Sequence, residues 1–181
     1  MIDEARFRSG DSFAAFLDRP HSNKPLWEAI YKRATVEGEL ISRMGALGGR
    51  WHLLMLSEDW CGDSINILPY LAKLTDGLVN MEMRIMRRDE NLDIMDAHLT
   101  GKARSIPVVI LLDENFRECG WWGPRPAELQ SWVMESGLKL PKEERYKQTR
   151  TWYARDHGKT TMAEVVGMLE QCVKPRKEGG K

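Results

Sequence analysis

Trp60-Cys61-Gly62-Asp63-Ser64 decides the reading of this chain, because it sets one thiol where a buried strand gives way to a helix. The residues before it, Trp51-His52-Leu53-Leu54-Met55-Leu56-Ser57, form a short apolar run ending in a polar turn. Such a run suits a strand with both faces covered. Behind the motif, Ile65, Leu68, Leu71, Ala72 and Leu74 recur at helical spacing. That pattern places Cys61 at or just before a helix N-terminus. Unpaired backbone N–H groups and the positive end of the helix dipole stabilise a thiolate there.

Moving outward toward the C-terminus, the stretch from Leu78 to Met86 alternates in part and reads as a second strand. Asp89 is expected to cap a helix containing Leu92, Met95 and Leu99, which Gly101 ends. Val108 to Leu112 is a third strand. Asp113-Glu114-Asn115 is a turn, and a partner strand runs from about Phe116 to Trp122. So short a turn implies an antiparallel hairpin. Trp121 and Trp122 then fall on opposite faces, one in the core and the other near the surface by Pro124; packing is the expected role of both, and a binding patch with Arg125 is the alternative. Leu129, Trp132 and Val133 mark a closing helix. Helical extensions flank this unit at about residues 10–44 and 142–173.

In the first extension Phe13, Phe16 and Leu17 mark a short helix that stops at Pro20. Pro25 opens a second, whose face is lined by Trp27, Ile30, Tyr31, Ala34, Ile41 and Met44 until Gly45, Gly48 and Gly49 end it. In the last extension Lys142 to His157 is polar but for Tyr146, Trp152 and Tyr153. Gly158 separates it from a helix over 160–173, with Thr160 or Thr161 and Glu164 as a capping signal. Pro175 to Lys181 reads as a frayed tail.

Composition narrows the function. With 27 basic and 27 acidic residues, no net field favours nucleic acid or an anionic membrane. No stretch approaches a membrane span, the N-terminus does not read as a signal peptide, and a cytoplasmic location is expected. Cys61, Cys119 and Cys172 are odd in number and widely spaced, which argues against a disulfide scaffold. Cys119 and Cys172 suit packing. His21, His52, His98 and His157 show no ligand pairing, so no metal site is expected.

Trp60-Cys61-Gly62, Pro69 within the following helix, and Ser105-Ile106-Pro107 leading into Val108 together resemble the thioredoxin family. The resemblance covers roughly residues 45–136 and implies one thioredoxin-like domain over 1–181. It implies an α/β fold with a mixed central sheet, helices on both faces, and helical extensions at either end. It further implies that Pro107 is cis and faces Cys61, with Ile106 and Pro107 receiving an extended peptide or a thiol tripeptide. Two departures are coherent. Ser64 stands where dithiol members carry the resolving cysteine, and Met55 stands where they bury a proton-carrying acid. The motif is most similar to the one-cysteine members reading Trp-Cys-Gly-Asp.

The site expected from these readings has Cys61 and Ser64 as catalytic residues, with Trp60, Gly62, Asp63, Ile106 and Pro107 around the substrate. Cys61 is expected to be partly exposed, with Gly62 allowing close approach. Asp63 suits the helix start yet opposes a neighbouring thiolate, whereas the Ser64 hydroxyl can donate to the sulfur. Two functions remain. One is a monothiol oxidoreductase acting on a protein disulfide or a small-thiol mixed disulfide. It binds no cofactor and uses glutathione or another low-molecular-weight thiol as co-substrate. The other is a redox-silent module that binds a protein. One-cysteine glutaredoxins, which read Cys-Gly-Phe-Ser and share an iron–sulfur cluster, rank last because Asp63 replaces their Phe.

Overall fold

The computed structural model describes residues 1–19 and 22–173. The expected stop at Pro20, His21 and the tail from Pro175 to Lys181 lie outside the described residues. Four strands form one sheet in the order β2-β1-β3-β4. They are β1 (Trp51–Ser57), β2 (Met81–Arg87), β3 (Val108–Leu112) and β4 (Glu118–Trp122). β1 pairs parallel with β2 and antiparallel with β3, and β3 forms the antiparallel hairpin with β4.

The two central strands are buried at every position. Alternation along them serves two apolar layers at once. Leu53, Met55, Val109 and Leu111 face a larger cluster, and Leu54, Leu56, Val108, Ile110 and Leu112 face a smaller one. Their apolar runs therefore need no polar face.

Helices cover both faces, as the sequence predicts. On the larger side lie α2 (Phe13–Asp18), α3 (Lys24–Arg33), α4 (Gly38–Ala46), α5 (Gly62–Asp76), α7 (Ala127–Glu135), α8 (Lys142–Asp156) and α9 (Lys159–Val173). Phe7 of α1 (Glu4–Arg8), with Ile94 and Met95 of α6 (Leu92–Met95), fills the smaller side. After α1 the chain pairs Asp11 with Ile85 through two 2.8 Å backbone bonds. That bridge covers part of the exposed edge of β2, where unpaired backbone groups would otherwise invite another strand.

Several local expectations are corrected. The long N-terminal helix is two, because Ala34 turns extended before Gly38 starts α4. Asp89 caps nothing. Residues Arg88–Glu90 form a 3₁₀ turn, the Asp89 N–H donates to Glu58, and α6 is one turn long. Phe116 takes a positive φ of 59° in the hairpin turn, so β4 begins at Glu118. The expected capping of α9 is replaced too. Asp156 accepts from Thr160, while Glu164 accepts from Trp122 Nε1 and the Ala127 N–H.

Candidate functional site

Cys61 is the N-cap of α5, with extended backbone, and its carbonyl accepts the first helical bond from Ile65. The loop before it is anchored from three directions. Arg87 of β2 pairs with buried Glu58 and with Asp59 at 3.5 and 3.4 Å. Trp27 of α3 donates its ring N–H to the Asp59 carbonyl, and Cys61 N–H donates to the Glu58 carbonyl. The N-terminal extension and the sheet thus fix where the thiol emerges.

The thiol donates to the Ile106 carbonyl at 3.5 Å, which joins the motif to the loop before β3. The Ile106–Pro107 peptide bond is cis. The next turn presses on this loop. At Gly123, where φ is +140°, an added Cβ would fall 2.2 Å from the Pro107 carbonyl oxygen. Only a glycine tolerates that approach.

Cys61 is 7% exposed and belongs to the smaller apolar cluster with Ile106, which corrects the partly exposed thiol expected from sequence. Burial pushes the Cys61 thiol above its ordinary value. The Ser64 hydroxyl and the N–H groups of Ser64 and Asp63 pull it down, and the Asp63 charge pushes it up. With the thiol protonated, Ser64 Oγ is fully buried and has no hydrogen-bond partner. Ionisation would turn the sulfur into an acceptor for that hydroxyl.

Asp63 is not the solvated helix-start residue that its position suggests. Its side chain is 12% exposed, Arg125 Nη2 lies 2.7 Å from Oδ2, and the Tyr153 hydroxyl donates to Oδ1 at 2.9 Å. Burial raises the Asp63 carboxyl above the usual range, against the opposing pull of Arg125 and Tyr153. Burial beside that carboxylate also raises the Tyr153 hydroxyl. Sequence reasoning had no role for Tyr153. The available signal was that Tyr153 is one of three aromatic residues in an otherwise largely polar helix.

The other expected residues divide. Trp60 is 55% exposed, with the Arg88 guanidinium 5.2 Å from its ring centre, so it flanks the thiol on the solvent side. At Gly62 a Cβ would meet nothing within 4 Å, so no contact among the described residues requires glycine there. Trp121 and Trp122 do pack on opposite layers, but both are only partly buried. With Arg125, Gln130 and Glu164 they line one shallow groove. Cys119 and Cys172 pack against the larger cluster. Among the described residues no group of three or more His, Cys, Asp or Glu side chains could hold a metal ion. No described helix is long and apolar enough to cross a membrane.

Two solved structures share this architecture. A protein of unknown function from Pseudomonas aeruginosa superposes with a TM-score of 0.76 at 22% identity, covering 94% of this chain and 99% of that one. An HIV epitope-scaffold superposes with a TM-score of 0.73 at 21% identity, covering 93% and 98%. At such identities the likeness is one of fold. No curated protein matches the sequence. A family model described as thioredoxin matches residues 10–147, which reach from the residues before α2 into α8, and the chain therefore belongs to the thioredoxin family.

Proposed function

We propose that the chain is a one-cysteine member of its family, a monothiol thiol–disulfide oxidoreductase that works through Cys61 in a thiol-reducing compartment such as the cytoplasm. The observation that carries this reading is Ser64. Its hydroxyl is fully buried three residues after Cys61 and has no partner while the thiol is protonated. A buried hydroxyl without a partner is costly, and a Cys61 thiolate would satisfy it.

The chemistry closes in two exchanges. The Cys61 thiolate attacks one sulfur of a mixed disulfide between a protein and a small thiol, forming a Cys61–small-thiol disulfide and releasing the protein thiolate, which takes up a proton. A second small thiol, such as glutathione, attacks the captured small-thiol sulfur as its thiolate. Cys61 leaves as thiolate, and the two small thiols depart joined by a disulfide. Ser64 donates to the Cys61 sulfur whenever it is anionic. The Ile106 carbonyl accepts from the resting thiol, and an extended substrate would pair with the backbone beside it once the sulfur is released.

The test is reduction of a glutathionylated protein by glutathione. Wild type should catalyse it, Cys61→Ser should abolish it, and Ser64→Ala should only slow it. Wild type with no activity across glutathione and other small thiols would remove the reading. The 7% exposure of Cys61 favours a second one, a redox-silent module that binds a protein beside Ile106 and Pro107. It predicts that Cys61→Ser leaves partner binding intact.

A further inference from the structure

Two cysteines outside the motif lie on elements that touch. Cys119 is on β4 and Cys172 on the last turn of α9, both carry thiols, and both pack partly buried against the larger apolar cluster. The contacts between the two elements follow one register. Glu164 accepts from Trp122 Nε1 at 2.6 Å, and a Cβ added at Gly120 would lie 3.6 Å from Met168 Sδ. Four residues forward along α9 therefore match two residues backward along β4. The spacings agree, since four helical residues rise about 6 Å and two strand residues span about 6.6 Å. One more step of that register carries α9 to Cys172 and β4 to Glu118 and its neighbour Cys119. The strand is irregular at this point. Leu111 pairs with Gly120 but Leu112 with Glu118, so Cys119 is the extra residue of a β-bulge, a feature that re-aims a side chain. Glu118 turns to His98 at 3.2 Å, whereas Cys119 joins the cluster that α9 covers. Gly120 places no side chain between strand and helix, so the two backbones approach as closely as a disulfide requires.

We propose that Cys119 and Cys172 are a second redox pair, a thiol–disulfide switch that staples α9 to the edge strand β4 in the presence of a low-molecular-weight disulfide such as oxidised glutathione. The pair is independent of the chemistry at Cys61, which lies in the smaller cluster on the other side of the sheet. The bond forms by exchange. One cysteine, as its thiolate, attacks oxidised glutathione, bonds to one glutathionyl sulfur and releases the other glutathione as thiolate. The second cysteine, also as thiolate, attacks the protein sulfur of that mixed disulfide. The Cys119–Cys172 bond forms, the second glutathione leaves as thiolate, and the two glutathiones take up the protons that the cysteines gave. The pair loses two electrons and the small disulfide gains them. Excess reduced glutathione reverses both steps. In a reducing compartment such a disulfide is transient and senses the redox state.

Native wild type treated with oxidised glutathione, then blocked with N-ethylmaleimide in urea and digested for mass spectrometry, reads the pair directly. The expected product is one intramolecular Cys119–Cys172 disulfide, with Cys61 in no bond to another cysteine of the chain. The oxidised protein should unfold at a urea concentration roughly 1–2 M above the reduced one, because the bond closes a loop of about 50 residues in the unfolded chain. Dithiothreitol should return the midpoint, and neither Cys119→Ser nor Cys172→Ser should show the rise. A treated protein without that bond, a bond that includes Cys61, a bond that forms only after unfolding, or an oxidised protein no more stable than the reduced one would each overturn the proposal. Wild type that forms the pair and yet reduces no mixed disulfide would remove the reading of Cys61 and leave this one standing.

Discussion

Gly123→Ala tests whether the turn after β4 holds the loop that faces Cys61. The new Cβ would lie 2.2 Å from the Pro107 carbonyl oxygen, 3.3 Å from its carbonyl carbon and 3.4 Å from Val108 Cα. All three are backbone atoms, so no side chain can swing aside. An alanine at φ +140° adds backbone strain of about 1–3 kcal/mol. Displacing packed backbone adds about 1–3 kcal/mol more. The expected loss is therefore about 2–6 kcal/mol from a total of order 5–15 kcal/mol. With a urea slope of ~2 kcal/mol/M the midpoint should fall by roughly 1–3 M. Because Pro107 follows the residue that accepts from the Cys61 thiol, its displacement should also uncover the sulfur and speed alkylation. Gly120→Ala is the control. Its Cβ would meet Met168 Sδ at an ordinary 3.6 Å, and its stability should stay within about 0.5 kcal/mol of wild type. A Gly123→Ala protein as stable as Gly120→Ala, with Cys61 no more reactive, would refute the argument.

Three further outcomes follow from the geometry. Ser64→Ala removes a buried hydroxyl with no partner, so it should leave urea stability unchanged or higher by up to about 1 kcal/mol while slowing Cys61 alkylation at pH 8; a clear loss of stability would mean that the hydroxyl is bonded in the resting protein. Trp27→Ala empties a fully buried site and removes the ring N–H bond to the Asp59 carbonyl, and should cost about 3–5 kcal/mol in urea melts; a loss below about 1 kcal/mol would deny α3 its anchoring role. The Tyr31 hydroxyl is pushed up from 10.0 to about 12, first by its hydrogen bond to Asp76 and then by burial. A raised pKa means stability present below pH 10 and lost as pH rises through about 12, so Tyr31→Phe should melt below wild type at pH 9 and converge with it by pH 12; a constant gap would show that the bond does not titrate.

What could be read from the sequence was the part decided locally. β1 and β3 are apolar at almost every position because both their faces are covered, and such runs between turn residues point to a central sheet. The motif thiol does sit at the start of α5, where strand, turn and helical periodicity converge on Cys61. The misses were decided by distant residues. Ala34, Ile41 and Met44 continue the helical spacing of Trp27, Ile30 and Tyr31 across the break between α3 and α4, because both helices turn their apolar residues to the same larger cluster. Glu164 looked like half of a capping pair. It accepts instead from Trp122, 42 positions away. Asp63 and Tyr153 are 90 residues apart, and nothing in the spacing of either marks them as partners.

The burial of Cys61 shows how unequal the forces on the thiol are. A helix N-terminus favours the anion by about 0.3–1 kcal/mol at exposed positions and by up to about 2 kcal/mol where partly buried. Full desolvation moves a group by up to about 3–5 pKa units, at about 1.4 kcal/mol for each. Burial therefore outweighs the dipole, and the Asp63 charge adds to it, in agreement with the raised thiol of the resting protein. Under the proposed chemistry an approaching disulfide must take the place of the apolar cover that includes Ile106, freeing the sulfur from the Ile106 carbonyl and leaving the Ser64 hydroxyl to meet the anion. Reactivity then depends less on the intrinsic acidity of a one-cysteine motif than on how readily the loop before β3 yields, and Gly123 is the residue whose close approach to Pro107 holds that loop in place.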